Sequence, residues 1–299
     1  MTNGLLTCDY LIMKKPVLFS SKKTYSIVSL LVICFLFFSF SSIKKIERNE
    51  PPRSCFIENT TFQHGEEMTY KLYYNINFVW VAAGEVTFSV EDLGNQWHLK
   101  AVGKTYPSYE WFFKVNDRYD TYLDKSSLLP IVSIRSIAEG KYKLYDKVVF
   151  DQSNHKADSY RGNYEKDAKK KEISLSNCMH DLVSTIYYCR NLDFESKEKN
   201  STFPLRFILD EKEYPINVKY KGKFARIPLR DMGSYNTIKF SPQVIDGRVF
   251  KSGSELNVWA SDDKNKIPLM IESPLSVGSV KVVLKSYKGL RYPFEAKVN

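Results

Sequence analysis

Glycine and proline are scarce in this 299-residue chain, at 13 and 12 residues. With apolar residues at 43%, that excludes a collagen-like repeat, a coiled coil and a disordered chain. Histidine is scarcer still, with only His64, His98, His155 and His180. The sequence holds no HExxH, GxSxG, Walker or GxGxxG motif, no CxxC and no Cys/His metal spacing. Asp117, Asp120 and Asp124 do not have the spacing of an EF-hand loop. His180 and Asp181 are adjacent, and neighbours on a helix point about 100° apart, so they make no joint site. No cofactor or metal is expected. A catalytic site assembled from distant residues leaves no such signature, so a hydrolase stands third among the functional readings.

Charge of one sign is also lacking once the chain is divided. The formal charge is +10, but half of it belongs to residues 1–48, and the remainder carries 37 Lys/Arg against 32 Asp/Glu. A body this mildly basic does not point to nucleic acid. The densest run, KDAKKKE at 166–172, is interrupted by acids and reads as a solvated loop.

The one long apolar run is at the start. Residues 25–42, YSIVSLLVICFLFFSFSS, carry no charge and follow Lys22 and Lys23. A basic n-region, an apolar h-region and small residues at the end make a secretory signal. Ser39 and Ser41 suit the −3 and −1 positions of a cleavage before Ser42. Met13 is read as the translation start, because the stretch before the basic pair is long for an n-region. Two rivals are an uncleaved anchor over 25–42, since the run is just long enough to span a bilayer, and a lipoprotein signal at Cys34, where bulky Ile33 stands in place of a small residue. All three put the body outside the cytoplasm. A polar lead-in covers 43–62 and a single β-rich domain 63–299. Within them lie Cys55, Cys178 and Cys189. Cys178 and Cys189 flank the predicted helix, about 16 Å apart along its axis, and cannot bridge each other. The three read as small buried hydrophobes, with Cys55 able to pair with either of the others.

Aromatics are abundant, with 20 Tyr and 19 Phe, and they suit half-buried pleated surfaces. Met68, Tyr70, Leu72, Tyr74 and Ile76 alternate with Thr69, Lys71, Tyr73, Asn75 and Asn77, the period of a half-buried strand. Val86, Phe88 and Val90 return, and Gly94-Asn95 turns the chain into Trp97, Leu99 and Ala101. Similar alternation recurs at 115–124, 142–150, 214–220, 256–260 and 280–284, predicting roughly a dozen strands in an antiparallel arrangement. Met179, Leu182, Val183, Ile186 and Tyr187 instead fall on one helical face, with Ser176 or Asn177 as cap. The expected fold is mainly β: a curved antiparallel sheet or incomplete β-barrel with one amphipathic helix on its concave side.

Four segments carry a resemblance: GEEMTYKLYYN…AAGEVTFSV (65–90), WFFKVNDRYDTYLD (111–124), CMHDLVSTIYYCRNLDF (178–194) and VWASDDKNKIPLMIESPLSVGSVKVVLKSYKG (258–289). In order and spacing they resemble the domain-of-unknown-function 3108 family. The resemblance covers about 60–290. It implies an exported, β-rich protein of Bacteroidetes-like bacteria, related in architecture to lipoprotein-carrier half-barrels. It brings no catalytic residues with it.

Two features are candidates for binding. YPSYEWFF (106–113) holds five aromatics in eight residues, which reads either as a loop covering the core or as the rim of an apolar site. Arg118 and Arg190 read either as structural ion pairs or as contacts to an anionic head group. The candidate ligand-binding residues are therefore Trp80, Trp111, Phe113, Arg118 and Arg190. The leading functional reading is a non-catalytic protein that binds or carries a lipid or glycolipid of the envelope. The alternative is an envelope scaffold or assembly factor whose partner is protein or polysaccharide. Mature protein should begin near Ser42 and be recovered with the soluble periplasmic contents. Terminal sequencing checks this, and an intact leader in washed membranes would assign the anchor instead.

Overall fold

The computed structural model describes residues 55–76, 79–111, 113–230, 232–243, 255–275 and 278–298. The leader at 25–42 and most of the lead-in lie outside these residues.

The alternating segments form one very wide sheet. Strands β1 (Glu67–Ile76), β2 (Val79–Asp92), β3 (Gln96–Thr105), β4 (Asn116–Asp124), β5 (Pro130–Glu139), β6 (Tyr142–Asp151), β7 (Lys156–Gly162) and β8 (Lys169–Ser174) make an antiparallel meander. The short β9 (Met179–His180) and helix α1 (Leu182–Arg190) follow. Strands β10 (Thr202–Leu209), β11 (Lys212–Leu229), β12 (Gly233–Pro242), β13 (Asn257–Ser261), β14 (Pro268–Pro274) and β15 (Ser279–Lys288) make a second meander. β15 pairs with β1 and joins the halves, and β16 (Lys297–Val298) pairs with β12. Among the described residues sixteen strands stand where the alternation predicted about a dozen. Among the described residues every long ladder is antiparallel, and only the two residues of β9 run parallel, to β10.

The sheet curls without closing: its backbone path ends at β8 on one side and β9 on the other. Side chains hold the two ends together. The Gln152 amide bonds both ways to the Met179 backbone, accepting from its N–H at 3.3 Å and donating to its carbonyl at 2.7 Å. The β10–β11 turn brings Asp210 to Arg135 (2.6 Å) and Arg161 (2.7 Å), and Glu211 to Lys171 (2.7 Å) and Ser159 (3.1 Å). Asp146 bonds the same two arginines. Asp210 and Glu211 both have left-handed backbones, φ 50° and 60°. A two-residue hairpin turn with this twist normally favours Asn-Gly, and carboxylates stand here because they reach the basic groups across the gap.

Helix α1 packs against β3 and β4 on one limb of the curl and against β10 on the other. It starts later than the apolar period predicts. The cap is Asp181, not Ser176 or Asn177: its carboxylate accepts from Val183 N–H (2.8 Å) and Ser184 N–H (3.2 Å), and Ser184 Oγ accepts from Asp181 N–H (2.9 Å). Met179 is fully buried, but as a residue of β9, where Gln152 keeps its backbone extended. Its burial matched the helical period for a different reason.

The cysteines also differ from expectation. Cys55 and Cys178 form a disulfide across 123 residues, while Cys189 is free and buried. The bridge ties the end of the lead-in to the segment before the helix. Phe62 completes the attachment, fully buried with its ring edge-on to Tyr187 at 5.0 Å and to Trp97 at 5.4 Å. Cys55→Ser should cost about 2–5 kcal/mol in denaturant unfolding under oxidising conditions, because a long loop is released in the unfolded chain. Cys189→Ala, in contrast, should respond to reductant as the wild type does.

Candidate functional site

Between α1 and the second half of the sheet lies an apolar cavity with about 70 Å³ of enclosed space, open to solvent at its mouth. On the helix side it is lined by Leu182, Val183, Ile186, Cys189 and Arg190, one face of α1. The opposite wall comes from inward rows of β1, β2 and β11 to β15, including Met68, Phe88, Val218, Phe240, Val258 and Val282. These are the same alternating positions that make the core. The helix fills the limb formed by β3 and β4 and leaves the other limb open. Ile186, on the predicted apolar stripe, is therefore only half-buried, because it faces this space.

Apart from Lys266, the few polar groups of the wall are engaged within the protein. Tyr70 Oη donates to the Pro268 carbonyl at 2.9 Å, and burial pushes its pKa well up. Thr185 Oγ1 donates to the Asp181 carbonyl at 2.7 Å. Burial raises the Cys189 thiol to about 12, so it stays protonated and unreactive at neutral pH. Arg190 is the most heavily committed. Its guanidinium forms a bidentate pair with Glu66 at 2.6 and 2.8 Å and also donates to the Asn265 and Thr61 carbonyls. Both side chains are essentially inaccessible, at 2% and 0% exposure. Burial alone would lower the guanidinium pKa, and the Glu66 carboxylate more than offsets it, leaving it above its ordinary value.

Of the residues expected to bind, only Arg190 lines the cavity, and its charge is spent on Glu66. Arg118 pairs with Asp120 of its own strand at 2.6 and 2.8 Å. Asp120 also meets His98 at 2.8 Å. Burial raises the Asp120 pKa, but the bonds from His98 and Arg118 prevail and bring it to about 2. Trp80 stands near the tip of the β1–β2 hairpin, 40% exposed, with Lys281 over its ring at 5.4 Å. Trp111 is 83% exposed, whereas Phe113 packs partly against the core. Neither Trp80, Trp111, Phe113 nor Arg118 belongs to the cavity wall. The YPSYEWFF segment thus splits, with Phe113 turned to the core and Trp111 to solvent. Sequence reasoning missed Glu66 and Lys266, which lies in the β13–β14 turn and also borders the cavity. No pattern marks Glu66, and Lys266 follows a DDKN stretch that reads only as a turn.

Among the described residues no group of three or more His, Cys, Asp or Glu could hold a metal ion, and no helix is long and apolar enough to cross a membrane. No curated protein matches the chain. Residues 69–285 match the family described as protein of unknown function DUF3108. The chain belongs to that family. Its fold is similar to a β-barrel-like protein of domain of unknown function DUF1849 from Brucella abortus, at 9% identity and a TM-score of 0.51 over 78% of this chain and 98% of that one. A Bacteroides fragilis protein with a YmcC-like fold aligns over 78% of this chain and 99% of its own at 10% identity, with a TM-score of 0.27. In this DUF3108 protein, Glu66→Gln should cost about 3–5 kcal/mol in denaturant unfolding, because it leaves Arg190 buried and uncompensated. The Glu66→Leu/Arg190→Met double variant should recover most of that loss, whereas equal losses in the two would show that packing, not charge, is what Glu66 supplies.

Proposed function

We propose that this DUF3108 protein is an exported, non-catalytic binder or carrier of an amphiphilic envelope component, a lipid or glycolipid, whose apolar part occupies the cavity beside α1. The cavity itself carries this reading. Protein interiors are close-packed, and an empty apolar space costs stability in proportion to its volume. An open-mouthed apolar space walled by aliphatic and aromatic side chains suits the hydrocarbon part of a ligand. Export is supported by the basic-then-apolar pattern at residues 22–42 and by the Cys55–Cys178 disulfide, a bond that persists in oxidising compartments. A non-catalytic role is supported by the commitment of Tyr70, Thr185 and Arg190 to internal bonds and by the protonated Cys189 thiol.

The exposed indole of Trp111 and the half-exposed one of Trp80 favour the second reading, a scaffold whose protein or polysaccharide partner covers these rings. One pair of variants separates the two. Ile186→Trp places a large ring in the cavity from a packed helix, and Trp111→Ala removes the exposed ring. With a delipidated sample and a fluorescent long-chain probe, Ile186→Trp should weaken binding at least about tenfold, about 1.4 kcal/mol, without lowering the melting temperature. Trp111→Ala should bind as the wild type does. Chain binding insensitive to Ile186→Trp would remove the cavity from the account.

A further inference from the structure

Resting on the cavity as a ligand site, we infer that its occupant is a long-chain amphiphile with an anionic head, a carboxylate or a phosphate monoester, held at the Lys266 ammonium. An apolar wall cannot desolvate a charge without a large penalty. A charged head must therefore sit where the wall offers an uncommitted cation and some contact with water. Among the wall residues Lys266 meets both conditions. Arg190 is the other cation, and Glu66, Asn265 and Thr61 use its guanidinium. Tyr70 and Thr185 donate their hydroxyl protons to backbone carbonyls. Lys266 is half-buried, and among the described residues its ammonium makes a single long hydrogen bond, 3.4 Å to the Leu192 carbonyl. An ammonium has three donors, so two remain for a head group.

The backbone fixes this lysine in place. Lys266 has φ 46°, a left-handed conformation uncommon for a side chain of this kind. The Asp263 carboxylate holds the turn, accepting from the N–H groups of Asn265 (3.0 Å), Lys266 (3.3 Å) and Ala296 (3.3 Å) and from Ser261 Oγ (2.8 Å). Among the acids around it, Asp193 feels the lysine's charge: bonds from Ser196, and to a lesser degree Lys266, hold its carboxyl below the ordinary range. No ion pair joins the two among the described residues, so the ammonium is available to an incoming anion. Lys266 is one of the residues that border the cavity, and long cationic side chains keep their charge near water while the stem is covered.

The test uses the mature protein, delipidated, with three ligands of matched chain length: palmitate, a palmitoyl lysophosphatidate and hexadecanol. The wild type should bind both anions about tenfold more tightly than the alcohol, the scale of a charge-assisted hydrogen bond. Lys266→Met keeps the apolar stem. It should abolish that preference, leave hexadecanol affinity unchanged and leave the melting temperature of the free protein within the error of the wild type. Preference for palmitate over lysophosphatidate would assign the carboxylate as the head, and the reverse the phosphate. Hexadecanol binding as tightly as the anions, or an anion preference that survives Lys266→Met, would overturn the inference while leaving the cavity as a chain site. Failure of all three ligands to bind would overturn the cavity reading itself.

Discussion

The buried pair of Arg190 and Glu66 joins four parts of the molecule that the chain brings together from far apart. Glu66 immediately precedes β1, Arg190 ends α1, Asn265 belongs to the β13–β14 turn, and Thr61 belongs to the lead-in. The guanidinium also lies 5.2 Å from the Tyr187 ring and 5.9 Å from that of Phe62. A buried ion pair adds little net stability over apolar residues of the same shape, because desolvation consumes most of the attraction. What it supplies is geometry, since a bidentate guanidinium accepts few alternative arrangements. Here it sets where the helix ends relative to the sheet, and so sets one boundary of the cavity. Because the two charges satisfy each other, that boundary presents no demand for water.

A sheet of sixteen twisted strands cannot remain flat, and curling brings its ends toward each other. In this protein the ends meet through Gln152, Asp210 and Glu211 instead of through a backbone ladder. The enclosed space is then too wide for one nine-residue helix to fill. α1 is drawn to the β3–β4 limb by its cap, since Thr121 of β4 donates to Asp181 at 2.9 Å, and the limb built from β11 to β15 is left facing open space. The cavity follows from wide curling and a short, off-centre helix.

The β architecture was legible because one-sided burial imposes period two, as in Met68, Tyr70 and Leu72 or Val280, Val282 and Leu284, all of them buried. The helix was legible as an element but not at its start. Met179 satisfied the helical period while belonging to a strand held by Gln152, a contact over 27 residues that no local pattern encodes. The disulfide was open for a similar reason, since Cys55 had two partners of equal chemistry and only the fold brings it to Cys178. At the site, Arg190 was among the residues singled out, but its partner Glu66 is 124 residues away and carries no signature. The aromatic segment around Trp111 drew attention by composition, while the actual wall is made of ordinary core residues of several strands. A cavity is space left by packing, and it leaves no mark in any one segment.

The central claim is that the space beside α1 is kept for a hydrocarbon chain. Native mass spectrometry of the protein isolated from its own cell envelope tests that claim without a choice of ligand. The account predicts a bound species whose added mass corresponds to one aliphatic amphiphile and which is absent from Ile186→Trp prepared in the same way. Protein that carries only its own mass, in both preparations, would contradict it.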